Sequence, residues 1–273
     1  YVSSTSPVFV AHFDAFATTV FARFNLSQKS FVVDIGSNDG ILLKPFKKLG
    51  ARVLGVEPDT RIAGLARKAG IPTVSEFFTP LMAKKLIKKY GQADVVTATN
   101  VFAHIDDIHA VAQGVKTLLK REGVFIVEVP YLVDFLDKNL FDTVYHEHLS
   151  YFSVSALSRF FEGVGMKIVD VERVASHGGS LRVFVKKKSA TGTPSVATQE
   201  LIALEKLRGL REEKVYREYE LRILENRAKL LSLLTGLKRS GKRIAGYGAP
   251  AKGNTLLNFF SIGTELLDYI VDD

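Results

Sequence analysis

The stretch "VVDIGSNDG", residues 32–40, sets three apolar residues and one carboxylate ahead of a turn built from Gly36, Asn38 and Gly40. It reads as a short buried strand running into a tight turn, because glycine and asparagine reach backbone angles that other residues resist. "ILLKPFKKLG" (41–50) then reads as a helix closed by Gly50. Working outward, "ARVLGVEPD" (51–59) repeats the strand and "TRIAGLARKAG" (60–70) repeats the helix. "ADVVTATN" (93–100) and "GVFIVEVPY" (123–131) are further buried strands, with "DIHAVAQGVKTLLKREG" (107–123) as a helix ending at a glycine between them. Upstream, "VFVAHFDAFATTVFARF" (8–24) repeats apolar residues at helical spacing. Apolar strands alternating with helices imply an α/β fold, a mostly parallel sheet covered on both faces.

After residue 150 the pattern changes. "SVSALSRFFEGVG" (153–165) is a helix, and "MKIVDVERV" (166–174) and "SLRVFVKKK" (180–188) are neighbouring strands that complete the sheet's edge in antiparallel fashion. "ATGTPS" (190–195) has linker composition. From about 197 to 240 the chain is charged, with apolar residues at helical spacing, and predicts one or two long helices. "KRIAGYGAPAKGNTLLNFF" (242–260) and "LLDYIVDD" (266–273) restart a strand–turn–helix–strand pattern. Two strands and one helix do not bury their own faces. The expected division is therefore a first domain over 1–190, a linker and helical segment over 191–240, and the beginning of a second α/β domain over 241–273.

The chain has 273 residues, no cysteine and a net charge of +8. The absence of cysteine excludes disulfides, thiolate metal sites and a cysteine nucleophile within these residues. No run of about 20 apolar residues predicts a membrane span. The positive charge suits an anionic partner, such as a nucleotide, a diphosphate or nucleic acid. It suits equally a solvated surface, and the mixing of charges along the chain favours the surface. A cytoplasmic protein is expected, and no reading of oligomeric state follows.

The first turn places Asp34 at a strand end, followed by Gly36, Asn38 and Gly40 at alternate positions. The spacing does not fit the dinucleotide fingerprint G-x-G-x-x-G. It is similar to the S-adenosylmethionine (SAM) turn D-x-G-x-G-x-G with asparagine in the middle place. Glu57 follows Asp34 by 23 positions, ends the next strand in "GVEP" and precedes Pro58. A carboxylate there accepts both hydroxyls of a ribose, in SAM or in NAD. "TATNVFAHI" (97–105) brings Asn100, Val101 and His104 past the following strand, where a methionine and adenine pocket would lie. The sequence N-P-P-Y of amino-group methylating enzymes is absent there, which argues against a nucleic-acid base as substrate.

"VYHEHLSYF" (144–152) holds two of the six histidines. The zincin spacing H-E-x-x-H fails, since Ser150 stands where the second histidine would be. If the segment is extended, His146 and His148 share a side, but no third metal ligand is evident. No metal is expected. A proton-transfer site at the carboxyl edge of the sheet is the alternative, with a carboxylate orienting a histidine and Tyr145 or Tyr151 donating to an oxyanion. A structural strand end with satisfied polar groups is equally compatible with the spacing.

Taken in order, "YVSSTS", "VVDIGSNDGILLKPFKKLG", "VLGVEP", "VFAHIDD", "FDTVYHEHLSYFS", "SHGGSLRVFV" and "GYGAPAKGNTLLNF" resemble the SAM-dependent C-methyltransferases that act on nucleotide-linked keto-deoxysugars. The resemblance spans nearly the whole chain. It implies a Rossmann-like methyltransferase domain, then long helices, then the start of a second Rossmann-like domain that binds a nucleotide-linked sugar. It implies no nucleic-acid or membrane partner. It implies His148 as general base, with Glu147 beside it and Tyr145 near the reacting carbon. Tyr1, Arg182, Tyr247, Lys252 and Asn254 would approach the sugar nucleotide. The family's zinc belongs to a cysteine-rich domain outside these residues. Two rival readings are a small-molecule O- or N-methyltransferase and an NAD(P)-binding oxidoreductase. A third is a non-enzymatic nucleotide-sugar-binding module.

Overall fold

A computed structural model describes residues 3–272. Its centre is a seven-stranded sheet made of β1 (Phe31–Ile35), β2 (Arg52–Val56), β3 (Thr73–Val74), β4 (Ala93–Thr99), β5 (Leu119–Pro130), β6 (Met166–Val174) and β7 (Ser180–Lys187). The strand order is β3-β2-β1-β4-β5-β7-β6. The first five run parallel, and β7 inserts antiparallel between β5 and β6.

Period-two alternation sends the strand residues into two cores. Val33, Ile35, Val56, Val96 and Val127 face one layer, formed with helices α4 (Pro80–Tyr90), α5 (Ile108–Leu118) and α7 (Val154–Val164). Val32, Val53, Val95 and Ile126 face the other, under α1 (Pro7–Arg23), α2 (Leu43–Lys48) and α3 (Thr60–Lys68). Every residue of β1 is buried, as expected of a strand covered on both sides. Asp59, Thr79, Asp107 and Ser153 cap α3, α4, α5 and α7 through their side chains.

One expected boundary moves. The helix predicted to run to Gly123 ends at Leu118, and β5 begins at Leu119. Leu119 pairs with Ala93 across a bulge, and its carbonyl accepts from Lys187 Nζ (2.7 Å). That pairing with β4 overrides the helical appearance of "LKREG".

The chain continues through α6 (Leu132–Asp137), before α7, and then α8 (Val196–Leu207) and α9 (Glu213–Arg239) after the sheet. Helix α10 (Ala251–Phe260) and a two-stranded parallel sheet, β8 (Ala245–Tyr247) with β9 (Tyr269–Val271), follow. A third apolar cluster ties this region to the first sheet. Phe135 and Leu136 of α6 meet Tyr219 and Ile223 of α9 and Phe260 of α10. The Phe141 ring stacks on Phe260 at 5.1 Å, and Arg222 donates to the Leu136 carbonyl at 2.8 Å. The N-terminal end of α10 is thereby brought over the carboxyl ends of the strands. No described helix is long and apolar enough to cross a membrane.

Candidate active site

The strand order reverses between β1 and β4, the place where ligands sit in open α/β sheets. A cavity of ≈ 650 Å³ opens there. Its walls come from α1, the strand ends, the 138–153 loop, the loop before β7 and the start of α10.

One end is built by the first turn. Gly36 has φ +68, and a Cβ there would meet Val101 at 2.7 Å, so glycine is required for the two loops to close on each other. Asn38 has φ +49, a left-handed angle that asparagine tolerates, which explains its place in the turn. Glu57 is held by two backbone donors, from Asn38 and Asp59, each at 3.0 Å. Both of its oxygens keep lone pairs for further donors. Asn100 has φ +55, and its buried Oδ1 has no hydrogen-bond partner. Asp34 lies beneath, accepting from Thr97 Oγ1 at 2.6 Å. Burial pushes the Asp34 carboxyl up to about 7, against that hydrogen bond, and the Glu57 charge adds to the rise. Pro58, Val101 and His104 complete this end. An orphaned carboxamide oxygen and a carboxylate aimed by backbone amides fit an amino- and hydroxyl-bearing nucleoside.

The other end is the histidine turn, and here the extended geometry expected from sequence is corrected. Residues 145–148 form a turn closed by His148 N–H to the Tyr145 carbonyl (3.0 Å). Tyr145, Glu147 and His148 line the cavity, while His146 is exposed and does not. Leu149 N–H donates to the Ala103 carbonyl (2.9 Å), which seats the turn beside His104. The His148 ring meets His104 edge-on at 4.9 Å and lies 4.6 Å from the Tyr145 ring. Burial and the adjacent His148 push His104 down, with Glu147 opposing.

A backbone carbonyl, not a carboxylate, orients His148. Its Nδ1 lies 2.7 Å from the Thr143 oxygen. That oxygen only accepts, so Nδ1 carries a proton, and in the neutral ring the lone pair lies on Nε2. Tyr151 is corrected too: its hydroxyl donates to the same Thr143 oxygen at 3.1 Å and does not line the cavity.

Of the described residues expected to approach the sugar nucleotide, Lys252 alone lines the cavity. Arg182 does not, because Glu128 sits opposite it in the β5–β7 register. Its Nε and one terminal nitrogen contact Glu128 Oε2 at 3.1 and 3.0 Å, and Glu172 takes the other terminal nitrogen at 3.4 Å. Tyr247 is exposed, and Asn254 Oδ1 accepts from Asn258 Nδ2 at 2.8 Å along α10. Gly40 turns away to pack on Ile71. Tyr1 lies outside the described residues. Among the described residues no three acidic or histidine side chains converge as a metal-ligand set.

Sequence reasoning missed the third wall: Phe9 and Phe13 of α1, His177 and Gly179. The phenylalanine spacing signals only a helix face. "SHGG" was visible as a motif, without a role for its histidine.

A family model described as "Methyltransferase domain" matches residues 11–171, and one described as "C-methyltransferase C-terminal domain" matches 175–273. C-methyltransferase NovU of Streptomyces niveus is 39% identical over 272 residues, covering 100% of this chain and 65% of that protein. This chain thus spans about two thirds of NovU's length. A ubiquinone biosynthesis O-methyltransferase of Burkholderia pseudomallei is 27% identical over 163 residues, 54% of this chain and 68% of that protein. Among solved structures, magnesium protoporphyrin IX methyltransferase (ChlM) of Synechocystis PCC 6803, with bound SAH, superposes with a TM-score of 0.50. It is 15% identical over 65% of this chain and 83% of its own. That likeness shows the fold alone. With a matched family model over most of the sheet domain, the chain belongs to the methyltransferase domain family.

Proposed function

We propose that this protein is a SAM-dependent C-methyltransferase acting on a carbon beside a ketone in a nucleotide-linked keto-sugar. The observation that carries the reading is His148. Its Nδ1 proton is committed to Thr143, which leaves Nε2 as a base, in the same cavity as the nucleoside-shaped end at Gly36, Glu57 and Asn100. SAM supplies an electrophilic methyl group on a sulfonium leaving group. A free Nε2 would serve a hydroxyl acceptor as well, and carbon is favoured by the match of residues 175–273 to the model described as "C-methyltransferase C-terminal domain".

In this reading Glu57 receives the ribose hydroxyls, and Asn100 Oδ1 takes a donor from the methionine or adenine part. His148 Nε2 removes the proton beside the ketone, and the electron pair moves into the carbon–carbon bond as the carbonyl oxygen becomes an enolate. Tyr145 stays a neutral phenol, because burial and the charges of Glu147 and Asp142 push its pKa up. Its hydroxyl is a donor for the sugar. Lys252, in the first turn of α10, faces the cavity as a cation for the acceptor's phosphates. We assign residues 1–190 to the SAM domain and 241–273 to the start of the acceptor-binding domain. Cytoplasmic location belongs to the same proposal, since both ligands are charged intracellular metabolites.

The test is His148→Asn with calorimetry and turnover run side by side. S-adenosylhomocysteine affinity stays as in wild type, and methyl transfer to the keto-sugar falls by roughly 10²–10⁴. Full turnover with full affinity removes the base assignment.

A further inference from the structure

His177 is a cavity residue to which the reaction above gives no task. It sits in the loop Ser176–Gly179 with φ 50 and ψ 33, a left-handed conformation, followed by Gly178 at φ +84 and Gly179 at φ +138. Such a backbone persists only where its surroundings hold it.

Here they do so at each neighbour of the histidine. Ser176 Oγ donates to Glu128 Oε1 at 2.9 Å. Lys138 Nζ donates to the Gly178 carbonyl, and Leu140 packs beside the same residue. Gly179 lies so close over buried Asp134 that a Cβ would overlap the carboxyl. Asp134 is itself fixed by Arg173 at 2.8 Å and Lys138 at 3.0 Å. The loop is anchored through its neighbours, yet the imidazole is not. Its one ring contact is Phe9, at 5.4 Å between centroids, and it makes no hydrogen bond with another described residue. A rigid loop therefore presents a free imidazole to the cavity, in the same space as His148 and Lys252.

Removal of the proton by His148 places negative charge on the acceptor's carbonyl oxygen, and that charge needs a fixed donor. Tyr151 is unavailable, being bonded to Thr143. Desolvation and the Lys252 charge both push the His177 pKa down, which keeps the ring a neutral N–H donor. Lys252 already provides the cation that phosphates require, whereas a neutral donor held in place matches a carbonyl oxygen becoming an enolate.

We propose that His177 is a further catalytic residue, whose imidazole N–H donates to the acceptor's carbonyl oxygen as His148 takes the neighbouring proton. In that step the C–H bond breaks, its proton goes to His148 Nε2, a carbon–carbon double bond forms, and the carbonyl π pair settles on the oxygen facing His177. The inference rests on the enolate reading of the same site.

The test is SAM-independent exchange of the acceptor's proton in deuterated water, using the full-length protein and a dTDP-linked 4-keto-6-deoxyhexose as probe. His177→Gly removes the ring and suits the left-handed backbone, and His177→Asn keeps a donor at a tolerated angle. In His177→Gly, exchange at saturating acceptor is expected to fall roughly 10²–10³-fold, with S-adenosylhomocysteine affinity unchanged and acceptor affinity within about threefold. His177→Asn is expected to restore part of the exchange. Exchange in His177→Gly within about threefold of wild type overturns the proposal. So does a loss confined to acceptor affinity, which makes His177 a binding group only. A wild type that binds both ligands and exchanges no proton removes the enolate reading, and this inference with it.

Discussion

Asp34 carries a stability signature that can be worked from its surroundings. The carboxyl is fully enclosed, accepts from Thr97 and lies near the Glu57 charge, so its pKa stands at about 7 against an ordinary 3.8. In the unfolded chain it ionises as pH passes 3.8, while the folded protein keeps it protonated up to about 7. The unfolded state therefore binds fewer protons over that window, and stability falls as pH rises through it, levelling off above 7. At ~1.4 kcal/mol per tenfold change in proton affinity, the full loss is about 4 kcal/mol. Asp34→Asn keeps an oxygen for Thr97 and has no proton to lose. Its stability advantage over wild type should be near zero below pH 4, about 2 kcal/mol at pH 5 and about 4 kcal/mol at pH 8. Urea unfolding of the two ligand-free proteins at four pH values between 5 and 8 reads the difference directly. A difference that stays constant across that range, whatever its size, refutes the reasoning. The same group links to ligand: a cationic ligand beside Asp34 favours the carboxylate. SAM binding at pH 6 should then release close to one proton, seen by calorimetry in two buffers of different ionisation enthalpy.

Three further outcomes follow from geometry. Glu57→Gln should weaken S-adenosylhomocysteine binding by roughly 10–100-fold, since hydrogen bonds to a charged group are worth about 1.5–3 kcal/mol; calorimetric titration checks it. Gly179→Ala forces a side chain onto Asp134 at φ +138 and should cost roughly 1–3 kcal/mol, measured as a shift in urea midpoint. Phe141→Ala should cost about 3 kcal/mol by emptying the contact with Phe260. It should also raise the KM for acceptor while S-adenosylhomocysteine affinity holds, which steady-state kinetics and calorimetry together resolve.

The turn after β1 was legible because backbone conformation selected the residue types: Gly36, Asn38 and Gly40 all take positive φ, although only Gly36 and Asn38 line the cavity. Glu57 was legible as a cavity residue because a carboxylate at a strand end has few structural uses. The pattern of strands was equally plain, since burial on both faces leaves unbroken apolar runs. Arg182 was misplaced because its partner is set by strand register, Glu128 on one side and Glu172 on the other, and register is not written in local sequence. Thr143 was invisible for a different reason: it acts through its carbonyl, which every residue has. The expected geometry of the histidine segment failed because alternation was applied to a turn. Phe9 and Phe13 read only as a helix face, because helical spacing does not distinguish a packed face from one that walls a cavity.

The short turn Phe141–Thr143 has two jobs within three residues. At one end the Phe141 ring seats α10, and at the other the Thr143 carbonyl fixes the proton on His148. An exchange of C-terminal halves between relatives, made to change acceptor choice, therefore has its natural crossover before this turn. A junction placed after residue 153 would pair a foreign helix with the resident Phe141, and any misfit would be transmitted to the orientation of the His148 ring. The segment 139–152 is inherited with whatever it docks.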